Sequence, residues 1–330
     1  MGKKSVLNAE AKAPRAPLGE RAPLHGRARL YKNMRARWQI YLLLVLPLAY
    51  LFIFAYGPMG GLVIAFKRYN FNLGIFGSPW VGFANFKRFF ESYKFTQVFT
   101  NTVTLSFYSL LINFPIPIIF ALLLNALPLS RYQKVIQTVT YIPHFFSTVV
   151  MVGLIFQLLN SRNGLYGSLM LYLTQQMPPD ILAIGASFKH IYVWSAVWQS
   201  TGYSSIIYFA ALSNVDPTLH EAALVDGATR FQRVLYVDIP SILPTASIML
   251  ILAVGGIMNV AFEKTLLMQN PLNINFSEVI STYVYKVGLA SGINDFSLSA
   301  AIGMFNSVIN FMLLILANWG SKRLSGSGIF

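Results

Sequence analysis

Between two long apolar segments of this chain lies the polar stretch Asp216-Pro217-Thr218-Leu219-His220-Glu221-Ala222-Ala223-Leu224-Val225-Asp226-Gly227-Ala228. Asp216 before Pro217 predicts a helix start, because the aspartate side chain can accept a hydrogen bond from an unpaired backbone N–H and proline has no N–H to satisfy. Gly227 can adopt backbone conformations that turn the chain, so the helix is expected to be short.

A second amphipathic run is expected directly after that turn. Phe231, Val234 and Leu235 recur at i, i+3 and i+4, with two arginines off that face. The prolines within 238–244 predict that this second run stops there. A helix, turn, helix unit of this kind can dock into a groove on another protein, with small alanines allowing close approach and Glu221 free to pair with a cation. An ordinary capped loop between two membrane helices is the alternative.

The composition is typical of a membrane protein. The 330 residues are 55% hydrophobic and only 11% charged, with a mean hydropathy of +0.56. Ten of the 25 basic residues lie in the first 37 positions, so the net charge of +14 belongs mostly to a tail and does not indicate a nucleic-acid partner. Cysteine is absent, which excludes disulfides, thiol catalysis and cysteine metal sites.

Six stretches free of Asp, Glu, Lys and Arg are each long enough to cross a bilayer once, since a spanning helix needs about 20 apolar residues. They are 38–66, 95–130, 135–161, 190–215, 239–262 and 296–321. The predicted fold class is therefore an all-α integral membrane protein with six transmembrane helices. Residues 1–37 form a tail before this domain of 38–321, and 322–330 form a short tail after it.

Basic residues predict the orientation of the spans. Lys32, Arg35 and Arg37 directly precede the first span and are expected to hold the N-terminus in the cytoplasm, and six spans return the C-terminus to the same side. The loop 216–238 is then cytoplasmic. The first tail, rich in Ala, Pro, Gly, Lys and Arg, is expected to be largely disordered and not to be a cleavable signal peptide.

The segment between the first two spans contains three phenylalanines at helical spacing. Phe86, Phe89 and Phe90 lie beside Lys87 and Arg88. This pattern predicts an interfacial amphipathic helix that contacts membrane lipid, and a cap helix packed on protein is the alternative.

Missing motifs limit the possible functions. No Gly-xxxx-Gly-Lys-Ser/Thr motif is present, so nucleotide hydrolysis is expected to need a separate subunit. No paired carboxylates lie in mid-span, which disfavours an ion-coupled carrier, and the histidines lack metal-ligand spacing and are expected to be structural. No catalytic constellation is present, so the chain is not expected to be an enzyme. A six-span ion-coupled carrier or channel remains the alternative to an ATP-driven transport subunit.

The polar stretch resembles the EAA loop of membrane permease subunits of binding-protein-dependent ABC importers. The matching residues are Glu221-Ala222-Ala223, Asp226-Gly227-Ala228, Pro240 and Pro244. In that family the loop forms a cytoplasmic coupling helix that sits in a cleft of the ATP-binding subunit. Further segments resemble the carbohydrate importers, especially the subgroup for oligosaccharides from the breakdown of polysaccharides such as alginate; they are 66–70, 77–82, 101–102 and 137–147.

This resemblance covers about residues 38–320 and implies the type I ABC importer permease fold in the cytoplasmic (inner) membrane. The implied partners are a second, related permease, two ABC ATP-binding subunits that carry ATP and Mg, and an extracytoplasmic solute-binding protein that delivers an oligosaccharide. No cofactor is expected on this chain. The implied ATPase-coupling residues are Glu221, Ala222, Ala223, Asp226, Gly227 and Ala228.

A substrate pathway is expected on the spans that flank the loop. Four residues recur at i, i+4, i+7 and i+11 and mix aromatic rings with hydroxyls: Trp194, Trp198, Thr201 and Ser205. The resemblance adds Gly202, Tyr203 and Asn259. Packing within the protein or at the membrane interface is the alternative for the tryptophans, whereas an amide such as Asn259 is costly in hydrocarbon unless it faces water or a partner.

The predicted external segments carry nine basic and five acidic residues. This surplus favours acidic oligosaccharides, such as those from alginate or pectin, through long-range attraction. Contact of the basic residues with lipid phosphate is the alternative, because five of them cluster near the membrane surface.

Overall fold

The computed structural model describes residues 36–127, 130–290, 292 and 294–325. Almost all of these residues are helical, and the described ranges contain one isolated β-bridge, Lys67 with Trp80, and no longer strand. The predicted tail over 1–37 lies almost wholly outside the described residues, as does much of 322–330. The described chain divides into two compact units, one up to Gly61 and one from Leu62 onward.

The helices are α1 Trp38–Tyr50, α2 Ala84–Phe90, α3 Tyr93–Asn113, α4 Pro115–Asn125, α5 Ser130–Tyr141, α6 Thr148–Leu159, α7 Leu165–Thr174, α8 Ser187–Ser213, α9 Pro217–Val225, α10 Arg230–Arg233, α11 Ile239–Gly255, α12 Phe262–Met268, α13 Ile280–Tyr285 and α14 Phe296–Ser325. Short helical turns lie at Gly57–Met59, Gly74–Gly77 and Ile274–Ser277. Wider π turns occupy Leu51–Tyr56, Val234–Asp238 and Lys286–Ala290, and tighter 3-10 turns occupy Gly60–Phe66 and Ile142–Phe145.

Four helical runs are long and apolar enough to cross a membrane. They are Trp38–Phe66, Tyr93–Asn125, Arg230–Gly255 and Phe296–Arg323. The pair Arg131–Phe145 and Thr148–Leu159 would make a fifth if it counts as one span. Helix α8 has 27 residues, about 40 Å at 1.5 Å per residue, so it is long enough to cross a membrane. Its hydropathy is too low for it to be counted among these runs. Length and composition therefore support four or five spans in the described residues, and the count of six stays a prediction.

The stretch 135–161 was predicted as one span, but the structure breaks it by a bend of 103°. Pro143 lies in the 3-10 turn that ends α5, and Phe146 and Ser147 then have extended backbones. The Ser147 side chain caps α6 by accepting a hydrogen bond from the Val150 N–H. A local proline followed by a new N-cap explains why the chain turns here instead of continuing.

The amphipathic run after Gly227 does not stop at 238–244, contrary to expectation. It continues through the π turn Val234–Asp238 into α11, so that one helical run extends from Arg230 to Gly255. The Ile239 N–H bonds to the Val234 carbonyl, five residues back. Pro240 has no N–H, and the wider turn just before it accommodates the missing bond.

Three apolar clusters hold the unit from Leu62 onward together. One joins α4, α8 and α11 through the buried Ala121, Tyr208, Leu212 and Ile242. A second contains Phe89 of α2, which is 1% exposed and packs against the Phe95 and Phe305 rings. The interpretation of α2 as an interfacial helix is therefore wrong for Phe89, because that face is covered by protein, and the cap-helix alternative fits better.

Candidate functional site

Helix α9 begins as the sequence predicted. The Asp216 Oδ1 accepts a hydrogen bond from the Thr218 N–H at 2.9 Å, and Pro217 occupies the first helical position. The backbone N–H of Thr218 stabilises the carboxylate and lowers the pKa of Asp216 below its usual value. None of the nine residues of α9 is buried in this chain.

The predicted turn at Gly227 is confirmed. Its φ is +77°, in the left-handed region that glycine adopts without strain. The Ala228 N–H bonds to the Ala223 carbonyl at 2.9 Å, and a capping box between Thr229 and Gln232 then starts α10. Two helix ends and the turn between them are thus satisfied by local hydrogen bonds.

The six expected coupling residues lie in α9 and the turn that follows it, and together they are called here the coupling surface: Glu221, Ala222, Ala223, Asp226, Gly227 and Ala228. Glu221, Ala222, Asp226 and Gly227 are exposed, and the other two alanines are half-buried. Within the described residues Glu221 has no cationic side chain within 4 Å. Large apolar side chains, including Val225 and Phe231, lie exposed nearby. This surface therefore offers two carboxylates, Glu221 and Asp226, that have no cationic side chain within 4 Å among the described residues and lie among apolar and small residues.

One side-chain contact below this surface was missed from the sequence. His220 Nε2 lies 3.3 Å from Oδ1 of Asp238, a buried carboxylate in the π turn. This agrees with the expected structural role for His220. The partner of His220 lies 18 positions away, so no local pattern in the sequence indicates the pair.

A cleft of about 370 Å³ lies between α3, α4, α8 and α11. Of the seven residues expected in the substrate pathway, only Asn259 lines it. The residues that α8 contributes are instead Tyr192, Ala196, Ser204 and Tyr208. The face of α8 that the sequence predicted to line the substrate pathway is therefore not the face that borders this cleft.

The expected pathway residues on α8 separate into two groups. Trp194 and Trp198 are about half exposed, and the Trp194 Nε1–H donates to the Tyr108 hydroxyl at 3.1 Å. Tyr203 is exposed as well, and its ring stacks on His144 with centroids 3.8 Å apart. Thr201 is half-buried. These four side chains remain accessible or partly accessible in the isolated chain.

Gly202 and Ser205 lie instead on a packed side of α8, and their expected place in the pathway is corrected. A Cβ at Gly202 would stand 2.3 Å from the Thr140 carbonyl oxygen, so the glycine lets α5 and α8 cross closely. Ser205 is fully buried, and its hydroxyl donates to the Gly202 carbonyl. Buried and exposed residues of α8 thus occur together on the face that the spacing predicted, and spacing along one helix cannot reveal which of them its neighbours cover.

Asn259 belongs to a cluster of amides. Its Oδ1 accepts hydrogen bonds from the Nδ2 groups of Asn306 and Asn310, both at 3.1 Å. Its own Nδ2 makes no hydrogen bond to the described residues, and the side chain is exposed at the cleft. The spacing of Asn306 and Asn310 at i, i+4 in an apolar span is a signal that sequence reasoning missed.

Lys264 of α12 is a buried cation beside the same region. Its Nζ donates to the Tyr192 carbonyl at 2.9 Å and lies 4.7 Å from the centre of the Tyr192 ring. No carboxylate of the described residues lies within 4 Å of it. Burial lowers the pKa of Lys264 to about 8. A smaller cleft of about 300 Å³ is lined by Lys264 and the exposed Glu263, and it shares Tyr192, Ala196 and Ala261 with the larger one.

Residues 97–326 match the family described as "Binding-protein-dependent transport system inner membrane component". This chain belongs to that family. Protein LplB of Bacillus subtilis (strain 168) is 39% identical over 90% of this chain and 92% of its own length. The polygalacturonan/rhamnogalacturonan transport system permease protein YteP of the same strain is 38% identical over 92% of this chain and 94% of its own.

A solved structure is similar over nearly the full length. It is the crystal structure of a bacterial alginate ABC transporter in complex with an alginate pentasaccharide-bound periplasmic protein, with a TM-score of 0.83 and 35% identity over 91% of this chain and all of that one. The binding-protein-dependent transport component described here therefore has the type I ABC importer permease fold. It is a transport subunit of the inner membrane and not an enzyme, as the sequence predicted.

Proposed function

We propose that this permease carries oligosaccharides, with a preference for acidic ones such as alginate or pectin fragments, delivered by an extracytoplasmic solute-binding protein. The proposal rests on two comparisons, each over about nine-tenths of the chain. A permease named for polygalacturonan and rhamnogalacturonan is 38% identical, and a chain of an alginate transporter is 35% identical. The polymers in these names are rich in carboxylates. A substrate class that this permease shares with those proteins is therefore acidic.

The proposed assembly contains a second, related permease and two ABC ATP-binding subunits, which hold ATP and Mg. This chain binds neither. Its coupling surface supports the proposal because Glu221 is exposed and unpaired among the described residues while the helix that carries it is fully capped. Both termini are placed in the cytoplasm, on the same side as this surface, and membrane lipid surrounds the spans.

The proposed pathway centres on Asn259. Asn259 lines the 370 Å³ cleft, its Nδ2 has no hydrogen-bond partner among the described residues, and the two amides that donate to its Oδ1 fix its orientation. The proposal keeps the exposed rings of Trp194, Trp198 and Tyr203, with Thr201 beside them, as part of the pathway. Sugar rings can pack on aromatic faces, and the second permease completes the wall of the pathway there. Gly202 and Ser205 are not kept, since both are buried in packing contacts.

Charge pairing in the structure supports an acidic substrate. Four of the nine external basic residues form ion pairs: Lys87, Arg88, Lys94 and Lys286. The other five, which include Lys264, have no carboxylate within 4 Å among the described residues, and only Asp180 and Glu263 remain as unpaired external acids. The pairs therefore do not remove the positive surplus that would attract an anionic chain.

The proposal is tested by purifying the tagged chain from a mild detergent and reconstituting it with whatever subunits remain bound. We expect a second permease and an ABC ATPase to co-purify with the chain. We also expect ATP-dependent uptake that uronic-acid oligosaccharides inhibit more than neutral ones do. A homo-oligomer that transports without ATP would instead support the ion-coupled carrier. Equal competition by neutral and acidic oligosaccharides would remove the acidic preference and leave the importer assignment in place.

A further inference from the structure

Helix α9 and the span that follows it are joined by more than the turn at Gly227. His220 points from α9 to Asp238, and their side-chain atoms Nε2 and Oδ1 lie 3.3 Å apart. Among the described residues this is the one polar side-chain contact that α9 makes outside its own cap. Both residues line a groove of about 560 Å³ that is bordered by α9, α10 and the ends of α4 and α8.

Asp238 is an unusual place for a carboxylate. It is 4% exposed, it lies in the π turn Val234–Asp238, and its Oδ1 accepts no well-aligned hydrogen bond from a described residue. His220 at ion-pair distance and the positive charge of Arg233 are what stabilise it. A buried carboxylate is costly without a polar partner, so Asp238 favours the arrangement in which the His220 ring stays beside it.

The π turn makes the contact mechanically relevant. Such turns interrupt the regular ladder of helical hydrogen bonds and often occur where a helix bends at a functional site. Here the turn separates the short α10 from α11, so a force applied at Gly227 alone could be absorbed by α10 and the π turn. A second attachment at Asp238, at the end of the π turn, bypasses that weak segment.

We propose that His220 and Asp238 form a positioning pair that ties α9 to the start of the α11 span, so that displacement of α9 by a bound ATPase moves the span as one body with it. The inference rests on the proposed coupling role of α9. It assigns to this pair the transmission step between the coupling surface and the membrane.

The test uses the reconstituted transporter complex and measures oligosaccharide uptake per ATP hydrolysed. His220→Gln and Asp238→Asn should each lower that ratio about fivefold or more, and the double variant should be no worse than the worse single one, because both remove the same contact. His220→Lys places a cationic donor at the same position of α9 and should keep most of the native ratio. Unchanged ratios in both single variants, or a fully additive double variant, would overturn the proposal.

A second measurement separates transmission from a merely structural role. The chain has no cysteine, so cysteines placed at the exposed Thr218 and Tyr236 can carry a pair of spin labels. With His220 and Asp238 intact, the distance between the two labels should be the same in the nucleotide-free and ATP-trapped complexes. In His220→Gln the distance should differ between these two states. A constant distance in His220→Gln overturns the proposal even where that variant assembles poorly.

The native complex distinguishes this inference from the function on which it rests. Absence of substrate-dependent ATP hydrolysis in the native complex would overturn the proposed coupling and the pair together. Substrate-dependent hydrolysis in the native complex, with the same uptake per ATP in His220→Gln and Asp238→Asn, overturns the positioning pair alone.

Discussion

Two polar regions of this permease treat their charged side chains in opposite ways. Helix α9 buries none of its residues, and Glu221 has no cation within 4 Å among the described residues. The segment from α12 to α13 buries Lys264, Glu278 and several hydroxyl and amide side chains, which bond within the chain. Glu278 pairs with both Lys94 and Lys286, at 2.9 and 3.0 Å.

The difference separates the surface that we propose for a partner from a segment whose charges are compensated within the chain. A buried charge is retained where other groups of the fold compensate it, whereas an exposed, unpaired charge on a well-capped helix costs nothing to the isolated chain. Substitutions at α9 should therefore change assembly and coupling, and substitutions in the α12 to α13 segment should change stability.

Glu221→Lys should have the largest effect. If Glu221 meets a cation in a desolvated cleft of the ATPase, reversal of its charge costs about 2–5 kcal/mol of association, at least about thirtyfold in affinity. Subunit stoichiometry and substrate-stimulated ATP hydrolysis of the purified complex measure it. Glu91→Lys, an equal reversal at an exposed residue outside the coupling surface, is the control. Full stoichiometry and undiminished stimulation in Glu221→Lys would contradict the partner surface.

Glu278→Ala should be the most destabilising change in the second region. It leaves Lys94 and Lys286 without their shared carboxylate, and breaking a buried ion pair costs about 3–5 kcal/mol. The thermal midpoint of the purified protein should fall by several degrees. Glu263→Ala, in the same segment but exposed and without an ion pair among the described residues, should leave the midpoint nearly unchanged. Equal midpoints for the two variants would erase the contrast between the regions.

Gly227→Val tests the backbone of the first region. A β-branched residue at φ +77° is strained by about 1–2 kcal/mol, and the surroundings leave open space, so the cost comes from the backbone and not from a clash. Coupled uptake should fall while the transmembrane unit stays folded. Gly303→Ala, at a helical glycine with equal open space, should have no such effect. A native-like ratio of uptake to ATP hydrolysis in Gly227→Val would contradict a fixed turn.

Local chemistry explains how much of these regions the sequence predicted. The cap at Asp216 and the left-handed turn at Gly227 depend on a few neighbouring residues, and both are as expected. The contact of His220 with Asp238 depends on helices brought together by the fold. The π turn before Pro240 and the bend after Pro143 have local causes, but a count of uncharged residues does not reveal them. Periodicity cannot tell which face of a helix a neighbour will cover.

The same reason accounts for the mixed outcome on α8. Trp194 and Ser205 lie on one face by spacing, yet the first is half exposed and the second is fully buried. The cleft is lined instead by Tyr192, Ser204 and other residues of a neighbouring face. Asn259 entered the pathway prediction through the family resemblance, and the cost of an amide in an apolar stretch favoured a position that faces water or a partner. It lines the cleft in the structure.

Asn259→Leu should weaken uptake about three- to tenfold, the size expected for one lost hydrogen bond to a sugar. It also removes the acceptor for Asn306 and Asn310, so a drop in thermal midpoint should accompany it. Substrate concentration for half-maximal uptake separates the two effects, because loss of packing alone lowers the amount of active transporter and not its apparent affinity. Asn259→Gln keeps an amide and should show the smaller change in that concentration. Unaltered uptake at every substrate concentration would remove Asn259 from the pathway.

Lys264 gives the smallest and most specific effect, a change in stability with pH. The pKa of its ammonium is about 8 in the folded chain, whereas an unfolded lysine keeps its proton until about pH 10.5. Below pH 8 both states are protonated and burial of the charge opposes folding in full; between pH 8 and 10.5 the unfolded state holds more protons, so the native chain gains stability as pH rises. In Lys264→Met the side chain at this position does not titrate at any pH. The thermal midpoint of the native protein minus that of Lys264→Met should therefore be flat from pH 6 to 7.5 and rise by a few degrees or less from pH 8 to 10.5. Lys87→Met, at an exposed lysine, should give a flat difference throughout. Parallel curves for native and Lys264→Met across the whole range would show that Lys264 is not a buried cation in the folded permease.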